Sequence, residues 1–285
     1  VTALAVAVVT DSTSDLDPAT AARCGIDVVP LFVNFGEERF RDGVDLSHAQ
    51  FYERLRRQAV LPTTSQPTSA MFEEAFRPHV DAGREIVCVT INAKLSGTIN
   101  AATAAAQQFP GAPITIVDSA MVSGGLAVQA MHAADLARDG AAGDVVAAAL
   151  ERDRDVTRGY VVVPDLSHAV RTGRVSRAQA FIGSLVKVLP VLRMSGGAIE
   201  EEARVRTYAR AQDAMIDAAL RTIEAGPGAR VVIAHAEAPD VAAAVAARLR
   251  ERITQPVHAL DVIEAGPAIA THAGAGAVGI FVLPG

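Results

Sequence analysis

The stretch Ile91–Phe109 reads INAKLSGTINAATAAAQQF. An apolar strand (Ile86–Ile91) runs into a tight turn at Leu95-Ser96-Gly97-Thr98, and an alanine-rich helix follows. Strand, polar turn, helix is the repeating unit of an α/β sheet. The turn places a hydroxyl and a glycine where the first N–H groups of a helix lack partners. Ser96 therefore has three readings: a helix cap, a nucleophile or an anion ligand.

The same alternation extends both ways. Further strands are expected at Leu4–Thr10, Val28–Phe35, Ile114–Val117, Gly159–Val163, Lys187–Met194, Ile199–Val205, Arg230–His235, His258–Ile263 and Ala277–Leu283. Helical stretches separate most of them, so the chain reads as α/β with mostly parallel sheets. Asp17-Pro18 opens one helix and Gly25 closes it. Ser47-x-x-Gln50 forms a capping box ahead of FYERLRR. Only LVKVLPVLRMSGGAIEEEARVRT differs: two strands joined at Ser195-Gly196-Gly197 make an antiparallel hairpin. A long amphipathic helix follows and stops at Gly226-Pro227. The charged run ERDRDVTRG suggests a boundary, giving an N-terminal α/β domain over 1–155 and a C-terminal one over 156–285.

Composition narrows the function. The chain has 285 residues, half of them apolar, with 4% aromatics and no Trp. Its net charge is −6. Scarce stacking side chains and an acidic balance argue against nucleic acid. Cys24 and Cys88 are too far apart in sequence to suggest a disulfide framework and are expected to be buried, reduced thiols. The opening VTALAVAVV lacks the flanks of a signal peptide, and no apolar run approaches the ~18–20 residues of a membrane span. The expectation is a cytoplasmic protein.

Polar clusters follow the strand ends: TDSTSDL at Thr10–Leu16, PTTSQPTS at Pro62–Ser69, LSGT at Leu95–Thr98 and VDSAMVSGG at Val117–Gly125. Ligands of open parallel sheets bind beyond the carboxyl ends of the strands. Hydroxyls and helix N-termini gathered there suit an anion, while capping alone accounts for any single loop. A hydrolase elbow needs Gly-x-Ser-x-Gly, and neither Ser96 nor Ser123 has the preceding glycine. GAGAVG, Gly274–Gly279, matches GxGxxG but is followed by a strand where a dinucleotide fingerprint needs a helix. No metal-ligand spacing occurs. His235 and His272 stand next to strands, and Arg171, Arg174 and Arg206 sit on turns where they meet water or hold a phosphate or partner.

The motifs TDSTSDL, TTSQPTS, LSGTINAA, VDSAMVSGGLAVQ, RTGRVS, VRT and THAGAGAVG, in this order, resemble the DegV family, the fatty-acid-binding subunits of bacterial fatty acid kinase. The resemblance covers nearly the whole chain. It implies two α/β domains with one long-chain fatty acid in a tunnel between them. It implies that Thr64, Ser96 and His272 hold the carboxylate. Ser12, Ser65, Gly97, Thr98, Ser119 and Gly274 stand in the supporting loops. It further implies a kinase subunit as partner, which carries the ATP and magnesium and converts the bound acid to an acyl phosphate. Arg174, Arg206 and Arg171 would lie near the phosphoryl transfer or docking surface. The chain itself would need no cofactor and no metal, and would not act as an enzyme alone. Thr172 replaces a glycine usual in the family, and Thr63 stands where a lysine is common. The residues leave two other readings open: a stand-alone acyl hydrolase using Ser96 with His272, or a sensor of a small anionic metabolite.

Overall fold

Strand β1 (Val6–Asp11) is buried at every position, as expected of a strand covered on both faces. The computed structural model describes residues 5–57, 61–173 and 188–285. In chain order the elements are β1, a short 3₁₀ turn (Ser12–Ser14), α1 (Pro18–Cys24), β2 (Ile26–Val29), β3 (Phe32–Phe35), β4 (Glu38–Arg41), α2 (His48–Arg57), β5 (Thr63–Ser65) and α3 (Ser69–Asp81). Then come β6 (Glu85–Thr90), α4 (Thr98–Ala106), β7 (Ile114–Asp118), α5 (Gly124–Arg138), α6 (Gly143–Val156), β8 (Arg158–Val162) and α7 (Ser167–Arg171). The remainder is β9 (Leu189–Ser195), β10 (Ala198–Val205), α8 (Tyr208–Glu224), β11 (Ala229–His235), α9 (Pro239–Arg252), β12 (Val257–Glu264), α10 (Pro267–Ala273) and β13 (Val278–Pro284).

The local signals act as expected. The Asp17 carboxylate accepts the N–H groups of Ala19 and Thr20, and Gly25 ends α1 at φ 69°. The Gln50 side chain accepts the Ser47 N–H at 3.0 Å while Ser47 Oγ accepts the Gln50 N–H at 3.3 Å. The β9–β10 hairpin turns at Gly196-Gly197, with a register shift between Glu201 and Ala203.

Five layers result. A parallel sheet, order β2-β1-β6-β7, carries α3 and α4 on one face through Phe72, Phe76, Ala102 and Ala105. Its other face meets α5 and α6. Beyond α5 lies a six-stranded sheet, order β10-β9-β8-β13-β11-β12, covered on its outer face by α8 and α9. Thus α5 packs on both sheets, and Val8, Val89, Leu126, Val232 and Phe281 belong to one core. Alanines keep that helix thin: Ala127, Ala130, Ala133 and Ala134 are buried in it. A third, antiparallel sheet, order β4-β3-β5, carries Thr64.

Two expectations change. The first sheet is wholly parallel, but in the second only β11 and β12 run parallel among the described strands. Strand β13 inserts antiparallel between β8 and β11. A strand covered on both faces shows an apolar run whichever way its neighbours point, so its sequence does not encode direction. The run Val28–Phe35 is two strands, broken at Pro30-Leu31, because proline cannot donate to a ladder. Cys88 is buried and Cys24 only half-buried, and both thiols are free. Among the described residues, no helix is long and apolar enough to cross a membrane.

Candidate functional site

Strand β5 is short because it is polar, and it is held by pairing Thr64 with Val33 on β3. That pairing presents the Thr64 hydroxyl to α10, where it meets His272 Nε2 at 2.8 Å. These residues stand 208 positions apart in sequence. His272 lies in the last turn of α10, whose start is pinned from the N-terminal half. The Asp15 carboxylate accepts the Gly266 N–H at 2.8 Å, and Asp42 accepts the Ala268 N–H at 3.3 Å. Ser123 Oγ donates to Asp15 at 2.6 Å, and Ser12 Oγ donates to Asp42 at 2.7 Å.

Ser96 lies in the turn before α4. Its Oγ is 2.9 Å from Thr98 Oγ1 and accepts the Thr98 N–H at 3.3 Å. The Gln66 side chain lies so close to Gly97 that any Cβ there would collide with it. The loops of TTSQPTS and LSGT are therefore in direct contact.

Thr64, Ser65, Gln66, Ser96 and His272 are polar residues in the lining of a cavity of about 450 Å³. That volume lies within the ~300–1,000 Å³ of small-molecule sites. Its walls are apolar: Val161, Leu192 and Met194 from the second sheet, Val163 just after β8, Val122 before α5, and Ile269 from α10. Among the described residues, neither Lys nor Arg lines it. An apolar cavity whose lining also offers hydroxyls, an amide and an imidazole fits a long apolar molecule with one small anionic head.

Buried acids surround this architecture without lining the cavity. Burial pushes the Asp11 carboxyl up to about 6, although hydrogen bonds from Thr13 and the Ile91 N–H oppose the shift. Asp42 is likewise raised to about 6 by burial, against the Ser12 hydrogen bond. Asp15 is raised well above the usual carboxylate range by burial, with Asp42 and Asp11 adding to the shift. Burial lowers His235, partly offset by Glu264. Among the described residues, no group of three His, Cys, Asp or Glu side chains is placed to hold a metal ion.

Of the residues expected at the site, Thr64, Ser65, Ser96, Gly97 and His272 come together around the cavity. Ser12 does not line it, because its hydroxyl is spent on Asp42 and on the Leu31 N–H. Ser119 is turned to the backbone of Met121. Thr98 reaches the site only through Ser96, and Gly274 packs against the His168 ring. Arg171 and Arg206 are exposed and stand off the cavity. Arg174 lies outside the described residues. Ser123, weighed above only as a nucleophile, and His235 also line the cavity, as do Gln66 and Thr13, which were not singled out although each sits inside a quoted motif.

The fold and this cavity define an α/β protein with an apolar cavity whose lining also carries hydroxyl, carboxamide and imidazole groups. The chain belongs to the DegV family: the model of that family, described as one of uncharacterised proteins, matches residues 5–285. A DegV domain-containing protein of Deinococcus radiodurans is 35% identical over 284 residues, covering 99% of each chain. A solved structure described as fatty acid binding of a DegV family protein from Thermus thermophilus is 32% identical, with TM-score 0.89 over 98% of this chain and 99% of that one. DegV of Bacillus subtilis, described as a fatty acid binding protein, is 30% identical with TM-score 0.87 over 99% of this chain and 100% of that one.

Proposed function

We propose that this protein binds one long-chain fatty acid in the cavity, with the carboxylate held by Thr64, Ser96 and His272. The observation that carries the reading is an apolar cavity whose lining includes those three side chains, with Thr64 Oγ1 2.8 Å from His272 Nε2. The related Thermus and Bacillus proteins, described as binding fatty acids, add to it. Burial of each CH₂ contributes about 0.8 kcal/mol, so a sixteen-carbon tail offers more than ~10 kcal/mol gross. The head opposes this, since an unpaired buried carboxylate is costly. Hydroxyl and imidazole donors beside the start of α4 offset that cost without a fixed positive charge.

A carboxylate held by such donors, with no guanidinium clamped on it, keeps its nucleophilicity. The second part of the proposal is that the bound acid is presented to a kinase subunit. A carboxylate oxygen attacks the γ-phosphorus of ATP held there with magnesium, the acyl phosphate forms and ADP leaves. Family resemblance supports this step, as do Arg171 and Arg206, two exposed cations on the chain. The hydrolase reading has less support: His272 Nε2 faces Thr64, while the Ser96 hydroxyl faces Thr98.

Titration of delipidated protein with oleic acid tests the first part, with one-to-one binding expected. Binding of short anions in preference to long acids overturns it. For the second part, Arg206→Ala is expected to keep lipid binding and reduce phosphorylation by the cognate kinase. Equal loss of both makes Arg206 structural.

A further inference from the structure

Asn92 is 3% exposed, and each of its polar groups is engaged. Its N–H donates to the Met121 carbonyl at 2.9 Å. Its own carbonyl accepts the N–H groups of Leu95 at 2.9 Å and Ser96 at 3.2 Å. Its Oδ1 accepts the Lys94 N–H at 3.0 Å, and its Nδ2 donates to the Gly197 carbonyl at 3.1 Å. Only this orientation of the carboxamide makes both side-chain bonds.

The Gly197 bond crosses to the tip of the β9–β10 hairpin. Beside it, Lys94 Nζ donates to the Gly196 carbonyl at 3.1 Å. The two glycines at the tip of the turn thus give their carbonyls to the first half of the chain. Gly197 sits at φ 74°, and a Cβ there would lie 3.1 Å from Asn92 Oδ1 and 3.3 Å from Lys94 Nζ. Leu192, Met194 and Ile199 of the same hairpin line the cavity, as do Ile91 and Leu95 flanking Asn92.

We propose that Asn92 is a positioning residue for Ser96, and that it couples the placement of this head-group ligand to the docking of the β9–β10 hairpin over the cavity. The proposal rests on the fatty-acid reading given above. One residue fixes the Ser96 backbone through its carbonyl and the hairpin tip through its amide. With the hairpin seated, the apolar wall is complete and Ser96 is held toward the carboxylate. With the hairpin lifted, the buried Asn92 amide loses its acceptor, the turn loses its anchor, and the wall beside the tail opens. A buried donor without a partner is costly, which makes the two events concerted.

The test uses cis-parinaric acid, a fluorescent fatty acid, on the delipidated full chain. Its dissociation is followed by stopped flow after adding excess oleic acid. Asn92→Asp keeps an acceptor for the Lys94 N–H but has no N–H for Gly197, and Lys94→Met in the same chain prevents the new carboxylate from pairing with the ammonium. This double variant is expected to release the probe at least ~10-fold faster. Ser96→Ala alone should also speed release, yet add less than ~2-fold on top of the double variant, since groups acting as one unit are non-additive. Gly197→Ala crowds the same contact from the hairpin side and strains the hairpin turn at its positive φ, leaves the Asn92–Ser96 sequence intact, and should behave as the double variant does. Wild-type release rates in the double variant and in Gly197→Ala, or a Ser96→Ala effect that multiplies in full, overturn the coupling. If the wild-type chain fails to bind the probe at all, the fatty-acid reading falls and the coupling with it.

Discussion

Thr64→Val isolates the head group from the tail. Valine matches threonine in shape and keeps a β-branched side chain in β5, where residue 64 pairs with Val33. What disappears is one hydroxyl, 2.8 Å from His272 Nε2, in the lining of the cavity. A hydrogen bond to a charged group contributes about 1.5–3 kcal/mol, and each ~1.4 kcal/mol is tenfold in affinity. Affinity for palmitic acid should therefore fall by about 10- to 150-fold. Methyl palmitate carries the same tail without the charge, and its affinity should move less than ~3-fold, because the apolar walls are untouched. Competitive displacement of cis-parinaric acid at pH 7.5 reads both ligands on the same protein, with thermal unfolding as the control for the fold. An equal loss for acid and ester, or no loss for the acid, refutes the assignment of Thr64 to the carboxylate.

Stability should also respond to pH through the buried acids. Asp11 and Asp42 have folded values near 6 against an ordinary 3.8, so folding favours their protonated forms. Their stabilisation is complete below about 3.8 and is lost as pH rises through about 6. Between pH 7.5 and pH 5 each group should add on the order of 1 kcal/mol, visible as a higher urea midpoint at pH 5. Asp42→Asn should shrink that difference; a midpoint that falls on acidification to pH 5 contradicts the raised values. Binding should strengthen about 4-fold per CH₂ through a series of saturated acids and then level off where the cavity ends. Titration calorimetry across the series checks this, and affinities independent of length rule out burial of the tail.

The first sheet was legible because its strands are uninterrupted apolar runs followed by polar turns: Val6–Asp11 and Glu85–Thr90 are buried almost throughout. That Thr64, Ser96 and His272 line one cavity was legible through the family motifs that carry them. Strand direction in the second sheet was not, because β13 is apolar whichever way its neighbours run. Strands β4 and β5 were missed because Glu38–Arg41 and Thr63–Ser65 have the composition of loops and become strands only against β3. The burial of Asp15 and Asp42 has no local signature, because it comes with the start of α10, whose Gly266 and Ala268 N–H groups they accept. The contact of Asn92 with Gly197 spans 105 positions, and no local pattern announces it.

Mass spectrometry of the lipid released when the freshly purified protein is denatured tests the central claim most directly. About one equivalent of free long-chain fatty acid per chain is expected from the wild type, and much less from a chain carrying Thr64→Val with Ser96→Ala. A short polar molecule in its place, an acyl group covalently attached to Ser96, or equal recovery from both proteins contradicts a carboxylate held noncovalently by Thr64, Ser96 and His272.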